Sequence, residues 1–230
     1  KRNNGSVDSN ELAGFPHHAL DTYLHKLVKA GHRVAICDQL EDPKMTKTIV
    51  KRGVTELVTP GVSLNDEVLQ SKSNNFLAAL HFGKKNIGIS FLDVSTGEFL
   101  TAQGNREYID KLLQNFSPSE VLVAKPFKNE FSQSFGSVYH AFYLEDWIFK
   151  SDYALETLTQ QLQVNSLKGF GIEELQEGII AAGAVLYYLS ETQHNQLQHI
   201  NTITRIIEDE YVWMDRFTVR NLELYFKTNS

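Results

Sequence analysis

Hydrophobic and polar positions over the first sixty residues predict one helix and two strands. The helix begins at Phe15 and Pro16 and ends at Gly31, a residue typical of helix C-terminal caps. Its apolar positions recur at helical spacing and are Ala19, Tyr23, Leu24, Leu27 and Val28. Strands are predicted over 33–37, where an apolar run indicates burial, and over 54–58. The pattern therefore indicates a small α/β unit that closes near residue 60.

A second, larger series of elements follows a polar segment, 62–73, which has the composition of a linker. The apolar run 121–123 suits a strand that is covered on both faces. Asp152 is expected to cap the N-terminus of the helix 153–161. The predicted elements are, in order, strands 76–82, 87–94 and 98–102, helix 106–115, strands 121–123 and 137–142, and helix 153–161. This order resembles the ribonuclease H-like fold.

One long predicted helix, 173–192, dominates the last part of the chain and follows a glycine-rich hinge, 169–171. Gly183 lies in the middle of this helix, where glycine costs about 1 kcal/mol relative to alanine. We therefore expect a neighbouring element to pack closely against it. An extended segment, 203–212, and a helix, 217–225, are predicted to follow.

The composition is that of an ordinary globular protein, with 230 residues, 42% hydrophobic residues and a net charge of −6. It excludes a disordered acidic tail, a collagen and a coiled coil, and no apolar run approaches the roughly 20 residues that span a bilayer. No secretory signal opens the chain and Cys37 is the only cysteine, so we expect a cytoplasmic protein in which Cys37 is buried. The chain begins with Lys1, which fits a processed protein but favours a fragment of a longer one.

The acidic charge is not spread evenly along the chain. Residues 1–60 hold nine Lys and Arg against seven Asp and Glu, which gives +2 (9 − 7), and the remainder gives −8 (13 − 21). A basic patch uninterrupted by acidic residues comprises Lys44, Lys47, Lys51 and Arg52. Such a patch is either a solvated loop or a contact for phosphate groups, which need cations but no particular spacing.

The sequence predicts no catalytic residue, metal ligand or cofactor site. A ribonuclease H-like nuclease needs several carboxylates to hold Mg²⁺, yet the first strand of that unit, 76–82, contains no acidic residue. Asp93 stands alone and is expected to cap the turn that contains Ser95 and Thr96. The histidines lack the spacing of a metal site, and no P-loop motif is present.

Four separated groups of residues resemble the MutS family of DNA mismatch repair proteins. They lie within 14–61, at 92–99, at 169–171 with 181–183, and at 214–224. The first group is similar to the end of the mismatch-binding domain of the family. The second and third groups are similar to its connector domain, and the last to the start of its core domain.

The resemblance implies a fold class and a division of the chain. The fold would be α/β, with a small mixed α/β N-terminal piece, a ribonuclease H-like connector domain and the helical start of a core domain. The C-terminal part of the mismatch-binding domain would occupy 1–61, a linker 62–73, the connector domain 74–168, and helices leading into the core (lever) domain 169–230. The Phe-x-Glu motif with which the family wedges a mispair, and its ATPase, would lie outside this chain.

The resemblance also implies site residues and partners. Arg52 would face DNA, with Lys51 and Lys47 near it, and the connector would relay the nucleotide state and help to recruit MutL without being a nuclease. The candidate MutL contact on the exposed side of the helix 153–161 is Tyr153, Glu156 and Thr157. The whole family protein would bind mispaired double-stranded DNA, MutL and a second copy of itself, with ATP and Mg²⁺ as cofactors, whereas this chain would hold no cofactor.

Three hypotheses about function follow. In the first, the chain is a non-catalytic fragment of a mismatch recognition protein in post-replicative repair, and it supports DNA contact and signalling between domains. In the second, it is a stand-alone ribonuclease H-like protein-interaction module. In the third, it is a metal-dependent nuclease that uses Asp93. The first is favoured because its residue matches extend over nearly the whole chain.

Overall fold

The computed structural model describes residues 14–42, 45, 49–62, 75–136, 138–192 and 197–207. The first part, here called the N-terminal unit (residues 14–62), contains a helix α1 (Leu20–Lys29) and two antiparallel strands, β1 (Val34–Gln39) and β2 (Arg52–Val58). The helix packs on one face of this two-stranded sheet. The small core between them comprises Leu24, Val28 and Val58, with Val34 and Ile36 at its edge.

The rest of the described chain is built around a six-stranded sheet. Its strands are β3 (Phe76–Phe82), β4 (Ile87–Asp93), β5 (Phe99–Gly104), β6 (Glu120–Ala124), β7 (Ala141–Leu144) and β8 (Thr204–Arg205). The spatial order is β7-β6-β3-β4-β5-β8. β4 is antiparallel to both of its neighbours, whereas β6, β7 and β8 pair in parallel. The expected α/β class with a ribonuclease H-like order of elements is confirmed.

Helices cover both faces of this sheet. On one face lie α2 (Arg106–Phe116) and α3 (Lys128–Phe135), and on the other lie α4 (Ser151–Leu162) and α5 (Gln176–Glu191). Successive residues of β3 point to opposite faces. Leu77 and Ala79 therefore join the core under α4 and α5, while Ala78 and Leu80 join the core under α2 and α3. A strand buried on both faces reads as a continuous apolar run, which is why 121–123 was recognisable.

Two details of the N-terminal unit differ from the sequence prediction. The run 33–37 was expected to be a buried strand, but β1 is mostly exposed. Cys37, expected to be buried, is exposed as well. An apolar run predicts burial on both faces, yet in the described residues only α1 covers this sheet. Alternate positions such as Val34 and Ile36 are therefore partly buried, while Cys37 lies on the other face.

Some element ends also differ. Asp152 is not the N-cap of α4, because the helix begins at Ser151 and its N-cap is Lys150. Asp152 lies instead in the first turn, where a carboxylate interacts favourably with the helix dipole. The long helix was predicted from residue 173, but it begins at Gln176. Strand 137–142 is found later, at Ala141–Leu144. The helix 217–225, residues 63–73 of the predicted linker and residues 208–212 of the predicted extended segment lie outside the described residues.

The expected close approach to the long helix is confirmed, and the neighbour is α4. A Cβ atom placed on Gly183 would lie 2.5 Å from Cβ and 2.6 Å from Cα of Ala154. The two helices touch at their backbones here, and no side chain fits between them. Because interiors are packed at crystal density, this contact fixes the distance between α4 and α5.

We predict that Gly183→Val lowers the free energy of unfolding by about 2 kcal/mol, because the added methyl groups force the two helices apart. Urea denaturation followed by circular dichroism measures this change. The matched control is Gly169→Val, since a Cβ atom at Gly169 meets no atom within 4 Å. Equal stability of the two variants would show that the contact between α4 and α5 tolerates expansion.

Candidate functional site

Lys51 and Arg52 lie at one end of the β1–β2 sheet. Arg52 is the first residue of β2 and pairs with Gln39, the last residue of β1. Beyond this pair, the backbone N–H of Leu40 donates a 2.9 Å hydrogen bond to the carbonyl of Lys51. Both cationic residues are exposed. The structure therefore brings two of the three predicted DNA-facing residues together at this end.

The third predicted residue, Lys47, and its neighbour Lys44 lie outside the described residues. Met45 and Ile49, which flank Lys47, are 86% and 96% exposed. Neither Lys51 nor Arg52 forms a salt bridge with another described residue. Exposed cations at the end of a hairpin can reach phosphate oxygens, a contact that positions a nucleic acid without reading its sequence.

A buried carboxyl group, that of Glu120, joins the N-terminal unit to the six-stranded sheet. Glu120 begins β6 and is 3% exposed. One oxygen, Oε1, accepts a 2.8 Å hydrogen bond from the Tyr188 hydroxyl. The other, Oε2, accepts from the Thr59 hydroxyl at 2.7 Å and from the Gly61 backbone N–H at 3.3 Å. We call these four residues the Glu120 network.

The Glu120 network connects three parts of the molecule. Thr59 and Gly61 end the N-terminal unit, Glu120 belongs to the sheet, and Tyr188 belongs to α5. Burial, and then the negative charge of Glu120, raises the pKa of the Tyr188 phenol, so its hydroxyl stays protonated and donates. The next residue, Val62, is fully buried in the core under α4 and α5.

Two further contacts support this junction. The Arg33 guanidinium lies 3.7 Å from the ring centroid of Phe142 and 5.4 Å from that of Tyr188, in cation–π geometry. Gly31 adopts φ 85°, and a Cβ atom there would lie 2.7 Å from the His140 ring. The N-terminal unit is thus attached through a guanidinium, a helix end and the Glu120 network.

Sequence reasoning missed Glu120. The available signal was an acidic residue directly in front of the apolar run Val121–Ala124, at a position where the strand is already buried. Its partners are 61, 59 and 68 residues away along the chain, so no local pattern could identify them.

Asp93 caps a turn, as predicted. Its Oδ1 accepts hydrogen bonds from the backbone N–H and the hydroxyl of Ser95, at 2.9 and 2.6 Å, and from the N–H of Thr96 at 3.3 Å. Its Oδ2 accepts from the N–H of Asn75 at 3.1 Å. Both carboxylate oxygens of Asp93 therefore accept hydrogen bonds that hold the turn and the start of β3 together. Among the described residues, no group of three His, Cys, Asp or Glu side chains could hold a metal ion.

The three candidate partner-contact residues on α4 are not equally exposed. Glu156 is exposed, whereas Tyr153 and Thr157 are half-buried. The Tyr153 ring contacts those of Trp147 and Tyr187, and its carbonyl accepts a 2.8 Å hydrogen bond from the Thr157 hydroxyl. Of the three residues, Glu156 is therefore exposed, Tyr153 belongs to an aromatic cluster, and Thr157 is bonded to the backbone of α4.

A histidine and a glutamate meet at the far end of β3. His81 Nε2 lies 3.1 Å from Glu177 Oε2, and the His81 ring stacks on Phe149. Burial lowers the pKa of the His81 imidazole below its ordinary value, and burial raises the pKa of Glu177. The imidazole is therefore neutral near pH 7, so the contact is a hydrogen bond donated by Nε2–H. The buried Nδ1 has no hydrogen-bond partner among the described residues.

In the part of the chain that the structure describes, no helix is long and apolar enough to cross a bilayer.

Comparison with known proteins gives matches along the whole chain. The family model described as MutS domain I matches residues 1–67, and the one described as MutS domain II matches residues 75–201. Relatives named DNA mismatch repair protein MutS are 77% identical over 229 residues in Flavobacterium johnsoniae and 64% identical over 224 residues in Cytophaga hutchinsonii. These alignments cover 100% and 97% of this chain but 26% of each relative, so the chain spans about a quarter of their length.

We predict that Glu120→Ala lowers the free energy of unfolding by about 3 kcal/mol, because two hydroxyls and one N–H lose their acceptor in a buried site. Urea denaturation measures the loss, and hydrogen exchange at the Gly61 amide should become faster. Glu130→Ala, which removes an exposed carboxyl group on α3, serves as the control. Unchanged Gly61 exchange in Glu120→Ala would mean that the network does not hold the N-terminal unit.

We also predict that His81 makes the protein less stable in acid. Its folded pKa is lower than the unfolded value of 6.5, so its contribution is present above that value and is lost as the pH falls through the folded pKa. Between about pH 7.5 and about pH 5.5, the free energy of unfolding should fall more steeply in the wild type than in His81→Gln.

Glu177 needs a control because its pKa is shifted in the opposite direction. Its folded pKa is raised, so its contribution is present below 4.5 and is lost as the pH rises through the folded value. The protein with His81 and the His81→Gln variant are therefore compared with Glu177→Gln present in both. Parallel stability curves in that background would contradict the assignment to His81.

Proposed function

The chain belongs to the MutS family of DNA mismatch repair proteins, and from this premise we propose that its N-terminal unit contacts DNA while its six-stranded domain passes signals to other domains and to MutL. The observation that carries the proposal is the pairing of an exposed basic hairpin end with a buried attachment to the sheet. The first would touch phosphates, and the second would make the hairpin and the sheet move together.

The proposed DNA-facing residues are Arg52, Lys51 and Lys47. Exposure of Lys51 and Arg52 at the hairpin end supports the assignment, as does the net charge of +2 over the first sixty residues (9 − 7). Each cation that neutralises a phosphate releases condensed counterions from the duplex. Such contacts supply affinity for any duplex and no preference for a mispair.

We propose that MutL is contacted on α4, through Tyr153, Glu156 and Thr157. Glu156 supports this assignment by its exposure, and Tyr153 by its place in an aromatic cluster that reaches the surface. Signals would pass between this surface and the hairpin through Tyr188 and Glu120, because both belong to the same buried network.

Catalysis is not part of this proposal for the chain. Asp93 supports that view, since both of its oxygens are engaged in a turn. ATP hydrolysis with Mg²⁺, formation of a homodimer and recognition of mispaired DNA are proposed for the whole family protein, acting in the cytoplasm. The alternative of a stand-alone interaction module is less favoured, because the chain aligns from end to end within longer mismatch repair proteins.

The division of the chain into 1–61, 62–73, 74–168 and 169–230 also remains a proposal. Its first boundary is supported by the match of MutS domain I to residues 1–67. The match of MutS domain II runs from residue 75 to residue 201, and therefore includes α5 together with the proposed connector.

We predict that this chain binds duplex DNA weakly and without preference for a mispair. For Arg52→Ala, the slope of log affinity against log salt concentration should become shallower by about 1, the value expected for one lost phosphate contact. Fluorescence anisotropy with a matched duplex and with a duplex that carries one mispair measures both quantities.

The control is Lys85→Ala, which removes an exposed cation from the β3–β4 turn at the opposite end of β3 from the Thr59–Gly61 junction. It should leave the slope unchanged. An unchanged affinity and slope in Arg52→Ala would refute the DNA-facing assignment.

A further inference from the structure

Three aromatic rings from three different elements meet at the surface. Trp147 lies in the 3₁₀ turn Asp146–Phe149, Tyr153 in α4 and Tyr187 in α5. Their ring centroids are 5.3 to 6.1 Å apart, and each pair is close to perpendicular, with interplanar angles of 70° to 81°. Edge-to-face packing of this kind is favourable for aromatic pairs. We call these residues the aromatic triad.

The turn that carries Trp147 is anchored in the core, but the Trp147 side chain is not covered. Ile148 and Phe149, which follow Trp147, are 1% and 3% exposed, so the backbone of the turn is anchored in the core. The Trp147 side chain is nevertheless 51% exposed. A surface tryptophan that already packs against neighbouring rings loses less side-chain entropy when it binds a partner, and tryptophan is enriched among binding hot spots.

Carboxylates outnumber cations around the triad. Glu145 and Asp146 precede Trp147, Glu156 lies three residues after Tyr153 on α4, and Glu191 lies four residues after Tyr187 on α5. Lys125 pairs with Glu145, and Lys150 pairs with Asp146. With these two lysines the local charge is −2 (2 − 4), and neither Glu156 nor Glu191 forms a salt bridge with a described residue.

The negative charges of two of these carboxylates act on the Tyr187 ring of the triad. Burial raises the pKa of the Tyr187 phenol, and the negative charges of Glu191 and Glu145 raise it further. The faces of tryptophan and tyrosine are themselves centres of negative potential. Ring faces and carboxylates therefore act in the same direction, and both attract a cation.

We propose that the aromatic triad, with Glu156 and Glu191, is a binding site for an arginine or lysine side chain on an exposed segment of a partner protein. The occupant is chosen by charge complementarity, since phosphate groups of a nucleic acid would be repelled by the net negative charge around the triad. The described residues already contain contacts of this kind, because Arg33 lies over the ring of Phe142 and Lys128 over that of Tyr143. For the identity of the partner, the proposal rests on the MutL contact proposed for α4, and it moves the centre of that contact to Trp147.

The first test uses a peptide of alternating Gly and Arg as the probe, with a peptide of alternating Gly and Gln as the neutral comparison. In the 230-residue chain that carries Trp213→Phe, Trp147 is the only tryptophan. Its fluorescence should change on addition of the Arg peptide and should not change with the Gln peptide. Equal responses to the two peptides, or no response to either, overturn the proposal.

Substitutions locate the site. Anisotropy with dye-labelled Arg peptide should show binding about fivefold weaker for Trp147→Ala. It should also be weaker for the double variant Glu156→Gln/Glu191→Gln, which changes only exposed side chains and so keeps the fold. The matched control, Glu173→Gln/Glu174→Gln, removes two exposed carboxylates ahead of α5 and should bind like the wild type. An equal loss of binding in the control would show that binding depends only on the net charge of the protein, and would overturn the proposal.

A second copy of the chain is the competing occupant. Sedimentation of the chain at increasing concentration tests it, because a dimer that is lost in Trp147→Ala would place another copy on the triad and overturn the proposal. A monomer throughout this range agrees with the proposal.

Pulldown of MutL by the chain separates this proposal from the one on which it rests. Capture that is weakened by Trp147→Ala and by excess Arg peptide supports both. Capture that neither treatment changes overturns the triad as the contact but leaves MutL as a partner. Failure to capture MutL, with peptide binding intact, removes MutL as the partner and keeps the cation site.

Discussion

The hydrogen bonds to the carboxyl group of Glu120 set the arrangement of everything around them. A buried carboxyl group is costly unless donors surround it, and here a tyrosine hydroxyl, a threonine hydroxyl and a backbone N–H do so. These donors come from the N-terminal unit and from α5, so satisfying one group fixes two elements against β6. Gly61 can approach because it lacks a side chain, since a Cβ atom there would lie 2.9 Å from Cβ of Glu120.

The rest of the domain continues this arrangement by packing. α5 can lie close to the sheet because Gly88 of β4 presents no side chain to it, and a Cβ atom there would lie 2.0 Å from the backbone of Glu177. α4 then packs on α5 at Gly183. Small residues at successive layers therefore bring the Trp147 turn, α4 and α5 together, and the three rings of the aromatic triad meet as a consequence.

Local pattern was sufficient for most of the fold. The central strands of the six-stranded domain follow from apolar runs, its helices follow from period-3.6 spacing, and Asp93 follows from the turn residues next to it. Cys37 was placed wrongly because an apolar run does not say how many faces of a strand are covered. The candidate site was less accessible, because Glu120 and Tyr188 are 68 residues apart and Trp147 and Tyr187 meet only after the helices pack. The local basic patch left Arg52 as either a solvated residue or a phosphate contact, and only the resemblance favoured the DNA-facing role.

The sharing of one carboxyl group by three donors also determines how the N-terminal unit can move. Thr59 and Gly61 both bind the same oxygen, and Val62 is inserted in the core directly after them. A rotation of the unit that lengthened both bonds would also withdraw Val62 from the core, so these three contacts would weaken together. Packed interfaces of this kind are bistable and do not deform continuously. The junction therefore favours one seated position of the N-terminal unit over a range of intermediate angles.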